Sequence, residues 1–347
     1  MTKIRVNLCP KREEIMLVSQ FIRKIRSQNK IPKTKLYEGL MAKKTYEKFE
    51  NHNDETKLRI SQLPIIAERL NLSTRELIHY GMDSFKSNYE EIYDCFTPLF
   101  HSYVNAQDKL KKDQLTEEII NLYNYSCSHK HDNICVYALY ILIKSSMNAY
   151  SDLITVPDTT DLVDIKHLFK NKQFFSIYDY KMFGNLCIYF NYNDLESLIN
   201  KLFPVPQSAS AALIEAAFTS LENLILSEIQ YSDMKNPIEI LNLIQAELIV
   251  HPSYKHRLIY LQFSDLIKYL ETLEPKYLFS TWNYIEIMAQ ADPQIVLENQ
   301  KDALNQIIKT QTGTTPNITG LLEIQENFSN SLDNTTDPIT HFKINES

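Results

Sequence analysis

The residues with the clearest chemical role lie in a short basic segment that follows a glycine. Residues 35–51 read KLYEGLMAKKTYEKFEN, with three lysines bunched after Gly39. Lysine ammonium groups bind DNA phosphates and the acceptor edges of guanine. On the predicted helix after Gly39, the spacing turns Tyr46 and Phe49 inward and leaves the polar residues outside: Lys43, Lys44, Thr45 and Lys48. With Leu36 and Leu40 facing inward on the preceding helix, the segment predicts a helix-turn-helix; a solvated lysine-rich helix is the alternative.

The charge distribution favours a polyanion as partner for this segment. The whole chain has 347 residues and a net charge of −7, but residues 1–80 hold 17 Lys and Arg against 9 Asp and Glu, a net charge of +8. The remaining residues therefore hold 19 basic and 34 acidic side chains, a net charge of −15. A small basic region on a large acidic one predicts that only the first binds nucleic acid.

A second group of chemically capable residues lies at 127–135, CSHKHDNIC, and offers four zinc-ligand types: Cys127, His129, His131 and Cys135. Their spacing matches no zinc finger, and the flanks are typical of helix ends joined by a polar loop. The sequence also contains no His-Glu-x-x-His motif and no glycine-rich phosphate loop. We therefore expect no metal, no cofactor and no enzymatic activity.

The elements that must position the basic segment are helices. The chain contains only five glycines, too few for a sheet protein with many tight turns, and it is predicted to be all-α. From Glu14 to about Met82 we predict five helices. The second starts near Pro32 and runs through Leu40, and the fifth starts with a capping box formed by Ser73 and Glu76. Residues 1–80 are thus expected to form a helix-turn-helix DNA-binding domain.

The rest of the chain is divided by composition. Residues 81–91, GMDSFKSNYEE, are polar and are predicted to be a linker. Residues 92–310 carry amphipathic stripes of similar length, which favour a helical-repeat domain of the tetratricopeptide type for sensing and dimerisation. Residues 311–347 are rich in Thr, Asn and Ser and are predicted to be a tail that could close over the body as a lid.

No stretch reaches the roughly 18 apolar residues of a membrane span, and the first residues lack a signal-peptide core. We expect a cytoplasmic protein with no membrane partner.

Residues 18–80 resemble the repressor-type helix-turn-helix of the Rgg family. The resemblance rests on Arg23 and Arg26 in the first helix, on LYEGL at 36–40, on FEN at 49–51 and on the pattern LxxIxERLNLSxxELI at 63–78. The stretches 164–186 and 192–205 are similar to the body of related pheromone receptors. Rgg-like proteins belong with the Gram-positive peptide-pheromone receptors, in which such a head is carried on a helical-repeat body. This chain departs from the family pattern by Ala-Lys-Lys at 42–44, so the operator sequence cannot be transferred.

The resemblance implies roles for individual residues in the head. Arg26 and Glu50 match a structural ion pair between the first and third helices. Lys33 matches a phosphate-contacting position and Asn51 a backbone-contacting position. The full set of expected DNA-binding residues is Arg23, Lys33, Thr34, Lys43, Lys44, Thr45, Tyr46, Lys48 and Asn51.

In the body, the resemblance implies a short signalling peptide held by asparagine amides. Asn185 and Asn223 match such positions, because an amide can bond both the N–H and the C=O of an extended peptide. Tyr189 and Trp282 are candidates for the same groove. The alternatives are that both asparagines are exposed helix residues with no partner and that both aromatic residues belong to the core.

Together these features predict a dimeric, or higher oligomeric, transcription regulator whose operator binding is modulated by a peptide. Two alternatives remain open. One is a dimeric repressor of a phage or mobile element that has no peptide ligand. The other is a helical scaffold whose basic head binds acidic protein and no DNA.

Overall fold

A computed structural model of the chain describes residues 17–53, 57–80, 87–147, 150–231, 234–291 and 297–313. Within these ranges every regular element is helical, which confirms the all-α prediction. The chain divides into two compact units, residues 1–143 and 144–347, with the boundary in the last turn of a helix.

The first unit begins with the five predicted helices. They are α1 (Val18–Gln28), α2 (Lys33–Tyr37), α3 (Lys43–His52), α4 (Leu63–Arg69) and α5 (Thr74–Tyr80). Their apolar faces meet in one core, in which Ile22, Leu36, Phe49 and Ile66 are fully buried. The capping box at the start of α5 is present, with Glu76 accepting from the backbone N–H of Ser73 at 2.7 Å.

The helix α2 is shorter than predicted. It ends at Tyr37 instead of Leu40, because Gly39 adopts a φ of +71°, a conformation that ends a helix and that side chains with a Cβ rarely adopt. The turn from Glu38 to Ala42 then redirects the chain into α3.

The first unit continues with α6 (Asn88–Val104), α7 (Lys109–His129) and most of α8 (Ile134–Met147). The helix α6 starts inside the stretch predicted as a linker, because Ser87 and Glu90 form a capping box. Residues 81–86 of the predicted linker lie outside the described residues.

The second unit contains eight further α-helices in the described ranges. They are α9 (Thr159–Phe169), α10 (Ile177–Leu186), α11 (Tyr192–Leu202), α12 (Ala211–Tyr231), α13 (Lys235–Val250), α14 (Tyr254–Thr272), α15 (Pro275–Ala291) and α16 (Leu297–Thr312). The helix α12 is central, since it packs against α10, α13, α14 and α16. It lies closest to α10, where a Cβ on Gly184 would be only 3.1 Å from the Cβ of Ser220.

No described helix combines the length and apolarity needed to span a bilayer. Residues 314–347, most of the predicted tail, lie outside the described residues.

Candidate nucleic-acid interface and ligand groove

The helix α3 has one face fixed in the core formed by α1 to α5, which are together called the head below. Tyr46 and Phe49 are both fully buried, with ring centroids 6.2 Å apart. The ring of Tyr46 also lies 5.7 Å from that of Tyr37, which follows Leu36 on α2. Because a helix has only one buried face here, the residues between these positions must point outward.

The outward face of α3 is basic. Lys43, Lys44 and Lys48 are exposed, and Thr45 beside them is half-buried. The nearest acidic partner is Glu47, whose Oε1 is 3.9 Å from the ammonium of Lys43. Both side chains of that pair are largely exposed, so the interaction is weak and leaves the lysine charge available to a polyanion.

The other predicted DNA-binding residues lie on the same three helices. Arg23 on α1, Thr34 on α2 and Asn51 near the end of α3 are exposed. The helix α3 packs against both α1 and α2.

The structure contradicts the prediction that the side chain of Tyr46 binds DNA. Its side chain is fully buried, and its hydroxyl donates to Oε1 of Glu50 at 3.0 Å. Burial and the neighbouring Glu50 carboxylate raise the pKa of the Tyr46 hydroxyl well above its usual value. Tyr46 is therefore a core residue and its side chain does not reach a DNA groove.

The predicted ion pair between Arg26 and Glu50 is present. Nε of Arg26 lies 2.5 Å from Oε1 of Glu50, whose side chain is fully buried, and the same guanidinium donates to the carbonyl of Ile31 at 3.1 Å. Burial alone would raise the pKa of Glu50. The hydrogen bonds from Lys33, Arg26 and Tyr46 outweigh burial, so the pKa lies below its usual value.

Lys33 is a third partner of Glu50, which the sequence did not reveal. Its ammonium lies 2.7 Å from Oε2 of Glu50 and donates to Oδ1 of Asn51 at 3.0 Å. The side chain is 38% exposed, and its ammonium, predicted to contact phosphate, contacts two residues of α3.

Two further residues that the sequence did not indicate hold the turn between α2 and α3. Arg69 donates to the carbonyls of Leu36 and Glu38 at 3.0 and 2.9 Å, and the amide of Gln62 donates to the carbonyl of Leu40 at 3.1 Å. These carbonyls at the end of α2 have no helical partners of their own. The turn that contains Gly39 is thus held by side-chain donors from the end of α4 and from the residue just before α4.

In the second unit, α10 and α12 enclose a hollow of about 340 Å³. Asn185 and Asn223, the two candidate peptide-binding asparagines, both line it. Each uses its Nδ2 within the protein: Asn185 donates to Lys181 O at 2.8 Å and Asn223 to Gly184 O at 3.0 Å. Among the described residues neither Oδ1 has a hydrogen-bond donor, so both amides retain an acceptor.

A second hollow, of about 400 Å³, lies between α12 and α16. Tyr189 and Asn223 line it together with Gln306 and Ile307 of α16. The hydroxyl of Tyr189 donates to the carbonyl of Ser145 at 3.0 Å, and burial raises its pKa. Asn223 lines both hollows.

Trp282 does not join the other candidates. It lies on α15, with the ammonium of Lys301 5.1 Å from its ring centroid, and it lines neither hollow. Its place in a peptide groove therefore stays a prediction.

The segment 127–135 is divided between two helices. Cys127 is exposed on α7 and Cys135 is buried on α8, while Nδ1 of His129 lies 2.9 Å from the carbonyl of Tyr125. Within the described ranges no three His, Cys, Asp or Glu side chains are grouped to hold a metal ion.

No protein-family model and no curated protein matches the sequence. Solved structures do match over almost the whole chain. The structure of PrgX in complex with cCF10 superposes with a TM-score of 0.68 at 18% identity, covering 86% of this chain and 94% of that one. The chain has the fold of PrgX.

Two more matches agree with the PrgX fold. A bacterial peptide pheromone/receptor complex has a TM-score of 0.67 at 18% identity, covering 84% of this chain and 98% of that one. The SHP pheromone receptor Rgg2 of Streptococcus dysgalactiae has a TM-score of 0.58 at 12% identity, covering 83% and 99%. The resemblance seen in the sequence is thus confirmed at the level of the fold.

Proposed function

We propose that this protein is a cytoplasmic, sequence-specific DNA-binding transcription regulator whose operator affinity is modulated by a short peptide bound in the second unit. The observation that carries the DNA part is the face of α3, where Lys43, Lys44 and Lys48 are exposed while Tyr46 and Phe49 anchor the opposite face. The matched structures are of pheromone receptors, and the proposed activity is likewise binding and not catalysis.

The geometry suits the major groove of DNA. That groove is about 12 Å wide and admits one α-helix. An α3 anchored by two buried aromatic rings can enter it as a rigid body, with its ammonium groups toward base edges and phosphates. Each lysine that neutralises a phosphate adds about 0.9 to the slope of log affinity against log salt.

A gel shift with DNA from upstream of its own gene tests this proposal. We expect a salt-sensitive shift with the wild type and its loss with Lys43→Ala combined with Lys44→Ala. The matched control removes two exposed lysines from α7, Lys109→Ala with Lys111→Ala, and should keep the shift. Equal loss in both double variants would mean that only total charge matters. No shift with the wild type at low salt would favour a scaffold that binds acidic protein.

The peptide part of the proposal rests on the two hollows that meet at Asn223. Ligand sites in proteins are concave and mainly apolar, with a few polar groups that fix orientation. Here the first hollow has two asparagine amides, each with an unused acceptor oxygen that a peptide N–H can reach. The adjoining hollow adds Ile188, Leu226 and Ile307 as apolar surface.

Titration calorimetry with short apolar peptides encoded beside its own gene tests this part. We expect binding to the wild type, and a loss of affinity of about tenfold or more for Asn223→Ala, the size of one lost buried hydrogen bond. Asn242→Ala, at an exposed position on α13, is the control and should bind normally. No heat with any peptide would favour the alternative, a dimeric regulator of a mobile element with no peptide ligand.

We further propose that the protein acts as a homodimer or higher oligomer. Two heads then occupy half-sites about one helical turn apart, roughly 34 Å. A peptide that binds one arrangement of the heads more tightly than another shifts the population between them and so changes operator affinity without touching DNA.

A further inference from the structure

The buried carboxylate of Glu50 is a meeting point for the three helices that form the DNA-binding face. Oε1 accepts a hydrogen bond from Nε of Arg26 on α1 at 2.5 Å and another from the hydroxyl of Tyr46 on α3 at 3.0 Å. Oε2 lies 2.7 Å from the ammonium of Lys33 of α2. Each of the three helices thus supplies one group to a single fully buried side chain.

The two carboxylate oxygens of Glu50 have different numbers of partners. Oε1 has two hydrogen-bond donors, whereas Oε2 has no hydrogen bond among the described residues and is stabilised by its ion pair with Lys33 at 2.7 Å. Removing Lys33 is expected to be costly, because it leaves a buried carboxylate oxygen without its ion-pair partner and without water. The ion pair between Lys33 and Glu50 is therefore expected to stabilise the head more than a pair between two exposed side chains would.

The ammonium of Lys33 also reaches the far end of α3. It donates to Oδ1 of Asn51, one residue after Glu50, at 3.0 Å. The same ammonium therefore contacts two successive residues near the end of α3, Glu50 as an ion pair and Asn51 through a hydrogen bond. The start of α2 is thereby tied to the end of α3 by one side chain.

We propose that Lys33 is a positioning residue of the DNA-binding face and not a phosphate contact. It acts through Glu50 and Asn51 to fix the orientation of α3 against α2, so that the lysines of α3 meet the groove at one angle. This inference rests on the proposed DNA-binding function, but its structural part concerns the head alone.

The two roles of Lys33 predict different salt dependences. A phosphate contact contributes about 0.9 to the slope of log affinity against log salt, and its removal lowers the slope by that amount on any DNA sequence. A positioning residue leaves the number of phosphate contacts unchanged. Its removal weakens binding to the operator more than binding to random DNA, because base-edge contacts require the exact angle of α3.

The test compares Lys33→Met with the wild type in the full chain, using an operator duplex selected by the wild type and a random-sequence duplex. We expect an unchanged salt slope, a loss of operator affinity of about tenfold, comparable to one misplaced base contact, and a smaller loss on random DNA. Lys48→Met is the control, since Lys48 is exposed on α3 and its removal should lower the slope. A lower slope for Lys33→Met, with equal losses on both duplexes, overturns the proposal.

Thermal unfolding separates this inference from the proposed function. A double-mutant cycle of Lys33→Met and Glu50→Gln should show that the two midpoint shifts are not additive, because both changes remove the same contact. Additive shifts overturn the positioning role whether or not the protein binds DNA. A wild type that binds no DNA defeats the proposed function alone, and the cycle still decides whether Lys33 holds α2 to α3. Lys33→Arg, which keeps the cation, should recover most of the midpoint.

Discussion

At the scale of single residues, Glu50 makes the stability of the head depend on pH. Its folded-state pKa is lowered by the hydrogen bonds from Lys33, Arg26 and Tyr46, although burial opposes them. A group with a lowered folded pKa contributes stability that is fully present above its ordinary pKa of about 4.3 and is lost as pH falls toward the folded value. We therefore expect the head to lose stability on acidification below about pH 5.

Glu50→Gln is expected to remove this part of the acid sensitivity and also to lower stability at neutral pH, where it leaves the cation of Arg26 without its partner. Hydrogen exchange of the amides of α1 and α3 between about pH 3 and 6 reports the head separately from the rest of the chain. Glu47→Gln is the control, because Glu47 is only in a weak surface pair. If Glu50→Gln and the wild type respond identically to acid, the network does not hold the head together.

Several of these residue-level features could be predicted from sequence and others could not. Buried Tyr46 and Phe49 follow from helical spacing, and Arg26 with Glu50 from resemblance. The contacts of Lys33 could not be predicted, because its spacing from Glu50 fits no single helix and only the packing of α2 on α3 brings the two together. For Tyr46 the two lines of sequence reasoning disagreed: the helical spacing placed it in the core, whereas the resemblance placed it among the DNA-binding residues, and its burial agrees with the spacing.

At the scale of elements, the floor of the candidate groove depends on the close approach of α10 and α12 at Gly184. A Cβ there would lie 3.1 Å from the Cβ and 3.2 Å from the Cα of Ser220, closer than side chains normally pack. Gly184→Ala is expected to push the two helices apart and to cost about 1–3 kcal/mol, the range for overpacking. Denaturant unfolding measures this loss.

The same substitution should also weaken peptide binding, because the carbonyl of Gly184 accepts the amide of Asn223. Ser220→Gly in the Gly184→Ala background removes one of the two clashing atoms and should recover part of the affinity. Asn242→Ala, at an exposed position on α13 that lines neither hollow, is the control and should change neither property. Unchanged stability and peptide affinity in Gly184→Ala would show that α10 and α12 can move apart at this point without cost, which would contradict the prediction.

Apolar stripes and capping residues in the sequence predicted where helices occur, but they did not predict where the helices end. The buried face of α11, for example, consists of residues at helical spacing: Leu195, Leu198, Ile199 and Leu202. By contrast, α2 ends early at a positive-φ glycine, and α6 begins within polar sequence because Ser87 caps it. Periodicity detects a buried face, but local backbone conformation and capping decide where the helix stops. The hollow between α12 and α16 lay beyond sequence reasoning, since its walls are some 80 positions apart in the chain.

At the scale of the whole molecule, the charge split supports the proposal that residues 1–80 contact DNA and the rest of the chain does not. Residues 1–80 carry +8 and the remainder −15, so the acidic part should be repelled by the phosphate backbone while the head is attracted. A single head with three exposed lysines on α3 makes few contacts. If the protein binds an operator as proposed, we expect high affinity to require two heads on one DNA molecule, linked through the bodies of the proposed dimer.

This requirement predicts a strict dependence of affinity on half-site spacing. Inserting about half a helical turn, roughly five base pairs, between two half-sites rotates one of them to the opposite side of the duplex, out of reach of the second head. We expect affinity to fall to the level of a duplex with a single half-site, and to recover in part when about a full turn is inserted. Gel shifts with the spacing series, and with the single half-site as reference, provide the measurement. If affinity is insensitive to spacing, the heads bind independently and the body of the protein does not couple them, which would remove the route by which a bound peptide could act on DNA.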